Sequence, residues 1–157
     1  MQVFNDDKPA LRRLDGRWYA YGTPWCGKDG INLNQKWPLG GICFLEKSQE
    51  NRIRRLPAAE ALPLILAQTT YRLQPHSMEL LLASLDSLLR EIPVFLLENR
   101  PEEAAARLSF ETMRRAAEEA QRLSDALNAQ GIPACASMHA QGQGLCIQIL
   151  LKNERLS

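Results

Sequence analysis

Apolar residues recur at three- and four-residue steps through Met78, Leu81, Leu82, Leu85, Leu88, Leu89 and Ile92, while Glu79, Asp86 and Arg90 lie off that stripe. This period is that of an amphipathic helix, and Ser77 stands where an N-cap is expected. A second stripe of Leu108, Met113, Ala116, Ala120, Leu123 and Leu127 predicts a helical region from Pro101 to about Gln130. Gly131 supplies its stop, and Ser109 is placed to interrupt it as a second N-cap. Ala58 to Arg72 is helix-prone behind Pro57, and Pro63 is expected to kink or split it.

The remaining pattern is that of strands and turns. Ala10 to Leu14 and Arg17 to Tyr21 flank Asp15-Gly16, whose residues tolerate the positive φ of a type I′ hairpin turn. Thr23 to Pro38 has no periodicity and reads as a long loop, of the length that is usually functional or disordered. Leu39 to Glu46, around Gly40-Gly41, predicts a buried strand, and Val94 to Leu97 a short one after Pro93. Ile132 to His139 and Leu145 to Lys152, joined by Gln141 to Gly144, predict a closing hairpin. The expected fold is α/β or α+β, with a mixed sheet, several helices and a C-terminal β-hairpin. One domain over 1–157 is expected, with a strand- and loop-rich part (1–56), a mainly helical part (57–131) and the hairpin (132–157).

Composition narrows the classes. A 157-residue chain that is 45% hydrophobic and 24% charged is of soluble globular type. Its formal net charge of +1 implies no broad basic face, so no nucleic-acid partner is expected. The apolar runs Leu80–Ala83, Ile92–Leu97 and Leu145–Leu151 are too short to span a bilayer, and Met1 to Asp7 does not have the pattern of a signal peptide. No membrane association and a cytoplasmic location are the expectations. Cys26, Cys43, Cys135 and Cys146 stand singly, which gives neither a zinc motif nor a disulfide framework. Cys43 and Cys146 sit in apolar runs as small hydrophobes, whereas Cys26 lies in a polar segment. His76 with Glu79, and His139 with Cys135, fall short of a metal-ligand set.

Candidate chemistry gathers near the amino terminus. Asn5-Asp6-Asp7-Lys8-Pro9 follows the short apolar start Val3-Phe4. Paired carboxylates at a strand end suit phosphoryl transfer, one holding Mg²⁺ and the other accepting a proton; the same residues also make an ordinary polar turn. Tyr21-Gly22-Thr23-Pro24-Trp25-Cys26-Gly27-Lys28 has the glycine spacing of the front of a P-loop. Gly22 and Gly27 permit close backbone approach, Lys28 offers a charge for phosphate and Trp25 a surface for a base. Asp29, however, stands where Ser or Thr should hold Mg²⁺, and the alternative is a solvent loop pinned by tryptophans. Arg52 and Arg54, in Glu50-Asn51-Arg52-Ile53-Arg54-Arg55, are placed to clamp phosphates or to form a solvated connection before the first helix.

In order, Asn5 to Arg12, Asp15 to Trp18, Tyr21 to Lys28, Pro38 to Glu46 and Glu60 to Leu64 resemble bacterial HPr-kinase-related proteins of the phosphoenolpyruvate carboxykinase-like group. The resemblance covers roughly residues 3–115. It implies part of an ATP-using α/β kinase core, with Mg and ATP as cofactors. Asp6 and Asp7 would be its catalytic and Mg-binding pair, with Thr23, Trp25, Gly27 and Lys28 near the phosphates or the acceptor. That acceptor is a protein or a small molecule.

In such kinases a Gly-rich phosphate-binding loop precedes the paired aspartates, whereas this sequence begins at them. The chain is therefore expected to be inactive alone, because the cradle supplies positioning and charge stabilisation. It would be a fragment, the product of a misassigned start or one half of a split protein, completed by a P-loop-containing partner segment or paired as a homo-oligomer through uncovered sheet edge. The alternative class is a non-catalytic binding or regulatory module that completes its sheet with a partner; an unrelated small soluble domain is the third.

Overall fold

The computed structural model of the protein describes residues 3–69, 75–131 and 146–151. Strands β1 (Ala10–Leu14) and β2 (Arg17–Tyr21) form the expected hairpin, with Asp15 at φ 49° and Gly16 at φ 78° in its turn. The long strand β3 (Lys36–Lys47) follows, then β4 (Arg52–Leu56), helices α1 (Ala58–Gln68) and α2 (Pro75–Glu91), strand β5 (Val94–Asn99), helix α3 (Glu103–Ala129) and strand β6 (Cys146–Leu151).

One mixed sheet joins the strand-rich and helical parts of the chain. Its order is β1-β2-β3-β5-β4, and β6 also pairs with β3. The β3–β5 and β3–β6 pairs are parallel, whereas β1–β2, β2–β3 and β4–β5 are antiparallel. Alternation along β3 and β5 sends side chains into two cores. Ile42, Phe44, Val94 and Leu96 point to a layer with Ala61 and Ile65 of α1, Leu85 and Leu88 of α2, and Ile92 just beyond it. Cys43, Phe95 and Leu97 point the other way, against Ala105 and Met113 of α3. Val94 to Leu97 are all buried, as a strand covered on both faces requires.

A register shift between Leu39 and Gly41 changes the phase of β3. Before it Trp37 and Leu39 face the α1/α2 layer; after it Ile42 and Phe44 do. One extra residue is what lets odd and even positions share a face. Gly41 lies beneath α3, where an added Cβ would be 2.6 Å from the Met113 methyl.

Several expectations need correction. The basic cluster is no solvated connection: Arg52 to Leu56 is a strand, with Ile53 packed toward α3 and Leu56 toward α1 and α2. Apolar residues three apart on a strand face opposite sides, so each meets its own layer. Ser77 lies inside α2, which starts at Pro75, a residue suited to a first helical turn. Ser109 does not interrupt α3. It is buried, and its hydroxyl donates to the Ala106 carbonyl at 2.9 Å, which satisfies the side chain within the helix. α1 runs unbroken through Pro63 and ends at Gln68. The first strand of the expected closing hairpin, at 132–139, falls outside the described residues; the second contains β6, paired parallel to β3. Cys43 is buried as a small hydrophobe, and burial pushes its thiol pKa up to about 12. No helix among the described residues is long and apolar enough to cross a membrane.

Candidate functional site

The segment before β1 lies against the loop that joins β2 to β3. The Leu33 amide donates to the Phe4 carbonyl at 2.8 Å and the Asp6 amide to the Ile31 carbonyl at 3.2 Å, with an antiparallel bridge between Asn5 and Asn32. At the base of the loop the Gly22 amide donates to the Gln35 carbonyl at 2.8 Å. The approach there is so close that a Cβ at Gly22 would sit 1.9 Å from the Leu33 oxygen. Glycine is required at that position.

Asn5 and Asp6 staple the loop. The Asn5 side-chain amide donates to the carbonyls of Thr23 (3.2 Å) and Trp25 (3.0 Å), while its Oδ1 accepts from the Asp7 amide at 3.2 Å. The Thr23 hydroxyl donates to the Lys8 carbonyl at 2.7 Å, and the Asn32 side chain donates to the Pro24 carbonyl at 3.2 Å. Asp6 Oδ1 accepts from the Gly27 amide at 2.8 Å and Oδ2 from the Asp29 amide at 3.0 Å. Gly27 passes so near that a Cβ there would lie 2.9 Å from the Asp6 carbonyl oxygen.

Hydrogen bonds to a carboxylate favour its charged form. The Gly27 amide chiefly, with those of Asp29 and Ile31, holds the Asp6 carboxyl below the ordinary aspartate value of 3.8 against some loss of hydration. Asp6 is thus an ionised acceptor that fixes both neighbours of Lys28. Lys28 itself is exposed, as are Asp7, Lys8 and Cys26, and Trp25 is 63% exposed. A fixed scaffold thereby carries an aromatic ring, an ammonium group and a carboxylate that all reach solvent.

After Lys28 the chain makes a turn, with the Gly30 amide donating to the Gly27 carbonyl at 3.3 Å, and then enters β3. No helix follows the lysine, so its glycine spacing does not build the helix-terminal phosphate cradle of a P-loop.

Arg52 and Arg54 are elsewhere. Arg52 pairs with Glu98, which pairs with Glu46 of β3, ten positions beyond Lys36 at the base of the loop (46 − 36). At strand rise that is about 33 Å away. Arg54 is two positions nearer and engages Glu60 at 2.8 Å. The fold therefore gathers Asp6, Asp7, Thr23, Trp25, Gly27 and Lys28, and leaves Arg52 and Arg54 at the opposite end of the sheet. Gly22 makes the close backbone approach expected of it, whereas Asn5 and Asn32 organise the site without having been singled out for that role. Only Asn5 carried a local signal, since Asn before a polar turn readily bonds the amide two residues on. Among the described residues no three His, Cys, Asp or Glu side chains gather as a cation cage.

The chain matches no protein-family model, no curated protein and no solved structure.

Proposed function

We propose that this chain supplies the carboxylate-and-lysine part of an HPr-kinase-like, ATP-dependent phosphotransferase, completed by a phosphate-binding segment or partner. The supporting observation is the double hold of Asp6 on Gly27 and Asp29, which fixes Lys28 beside the Asp6-Asp7 pair. The pair then divides its work. Asp6 orients the loop, and exposed Asp7 is the carboxylate open to Mg²⁺ or to an acceptor proton. Magnesium is commonly held by one or two carboxylates together with nucleotide phosphates, a requirement that Asp7 and a bound nucleotide meet without an all-protein cage. Bound there, the ion would neutralise phosphate charge. Lys28 provides a point charge for phosphate, Trp25 a stacking face, and Thr23, anchored to Lys8, keeps the loop in place. Arg52 and Arg54 take no part in this reading.

The same hold favours a second reading. A carboxylate with each oxygen already accepting an amide is also what a purely structural staple looks like, and a non-catalytic binding module would use it so. Titration of the chain with Mg-ATP by calorimetry separates the two. The phosphotransferase reading expects saturable heat that weakens about tenfold in Asp7→Asn and in Lys28→Met, a loss of ~1.4 kcal/mol each. Heat indifferent to both changes would sink it in favour of the binding module, whereas no heat from the unmodified chain would mean that nucleotide binding waits on the completing segment.

A further inference from the structure

We infer that the open face of β1, β2 and the start of β3 is a docking surface for an acidic, extended protein segment, one that adds to the β1 edge. This face adjoins the base of the loop described above at Tyr21 and Lys36, and the inference does not depend on the phosphotransfer reading.

Strand alternation defines the face. Trp18 and Ala20 of β2 are buried toward α1 and α2, so Arg17, Tyr19 and Tyr21 look the other way. Cross-strand partners share a face: Arg12 lies opposite Tyr19 on β1, while Pro38 and Lys36 of β3 lie opposite Tyr19 and Tyr21. The Lys36 ammonium rests 5.2 Å from the Tyr19 ring centroid and 6.0 Å from that of Tyr21, and the two rings meet edge to face at 6.4 Å. Every charged strand position on this face is basic, namely Arg12, Arg17 and Lys36. α3 covers this side of the sheet over β3, β5 and β4, where its core contacts lie. Ala10, Arg12 and Arg13 of β1 are exposed, and among the described residues β1 pairs only with β2.

The charge pattern selects the occupant. A second copy of this chain paired edge to edge at β1 would bring Arg12 and Arg13 against their own counterparts, which is destabilising. A nucleic-acid strand would need the ring faces for stacking, and Lys36 already lies over them. An acidic segment needs neither concession. Added as a strand, it satisfies the backbone groups of the β1 edge, and its alternate carboxylates fall on the side of Arg12 and Lys36. The residues between them face Leu11 and Arg13, and Arg13 is already occupied by Glu91 at 3.0 Å. An alternation of acidic and uncharged residues fits both sides.

The test is fluorescence anisotropy of the purified chain with a labelled peptide alternating glutamate and threonine. Its glutamine counterpart and a single-stranded oligothymidylate serve as rival probes. The acidic peptide is expected to bind saturably and to weaken about tenfold or more in Arg12→Glu, while Arg55→Glu, on the opposite sheet edge, leaves it unchanged. Thermal melts of both variants should match the unmodified chain, because both side chains are exposed. The inference is overturned by no acidic-peptide binding, by equal binding of the glutamine peptide, or by equal loss in both variants. Arg12-dependent binding of oligothymidylate in place of the peptide would also overturn it, and would assign the face to nucleic acid.

Discussion

The β3–β5 centre and the loop of residues 22–35 are held by different forces. In the centre, Phe44, Ile42, Val94 and Leu97 are sealed between helices on both sides, and stability comes from apolar area removed from water. In the loop, few side chains are buried. Its shape comes from Asn5, Asp6 and Thr23 reaching backbone groups. A single change in the centre should therefore cost global stability, whereas the loop should fail locally without unfolding the rest.

The largest effect that can break this contrast lies in the centre. Phe44→Ala removes a fully buried ring and should cost about 3–5 kcal/mol in urea unfolding. A loss below about 1 kcal/mol would mean that the centre is not close-packed. Gly22→Ala comes next. Its Cβ would press on the Leu33 carbonyl, a backbone atom that cannot swing away, at a cost of about 1–3 kcal/mol. That loss should be accompanied by faster proteolysis between 22 and 35, while amides in β5 keep their exchange protection. Arg13→Ala breaks a partly exposed ion pair with Glu91 and should lower stability by only ~0.2–1 kcal/mol, less in high salt.

The smallest global change, and the sharpest local one, is expected from Asp6→Asn. Amide exchange at Gly27 and Asp29 should accelerate while the melting curve stays in place. The pH dependence has a definite sign. Because the folded-state pKa of Asp6 is depressed, its hold on the loop is fully present above the ordinary value of 3.8 and is lost as pH falls through the lower folded value. Loop exchange that is flat with acidification over that range, after correction for intrinsic rates, would mean that the carboxylate is not the staple.

The same contrast explains what the sequence made legible. Asp15-Gly16 named its turn, the Leu85-Leu88-Ile92 stripe named α2, and Val94 to Leu97 named a strand, because each is a local pattern tied to burial. Strand β4 escaped because an edge strand with apolar residues only at Ile53 and Leu56 has no alternation to read. The site was half legible. Asp6, Asp7, Gly27 and Lys28 could be picked out as residue types, but the carboxylate's contact with amides 21 and 23 positions away is a product of folding. The separation of Arg52 and Arg54 from that group is a matter of strand order. β5 enters the sheet between β3 and β4, and no neighbouring residue announces it.

Strand β3 finally sets a timetable for synthesis. Its first residues pair with β2, fewer than 20 positions back, whereas Leu39 must wait for Cys146, 107 positions on (146 − 39). The hairpin and the start of β3 can assemble while the ribosome is still making α3, but a stretch of the β3 edge stays without its last neighbour until the end of that interval. Long-range parallel pairing of this kind is slow, and it leaves an apolar strand open to other chains in the meantime. Expression at lower temperature or with a holding chaperone should therefore raise the soluble yield of this protein more than it raises its melting temperature.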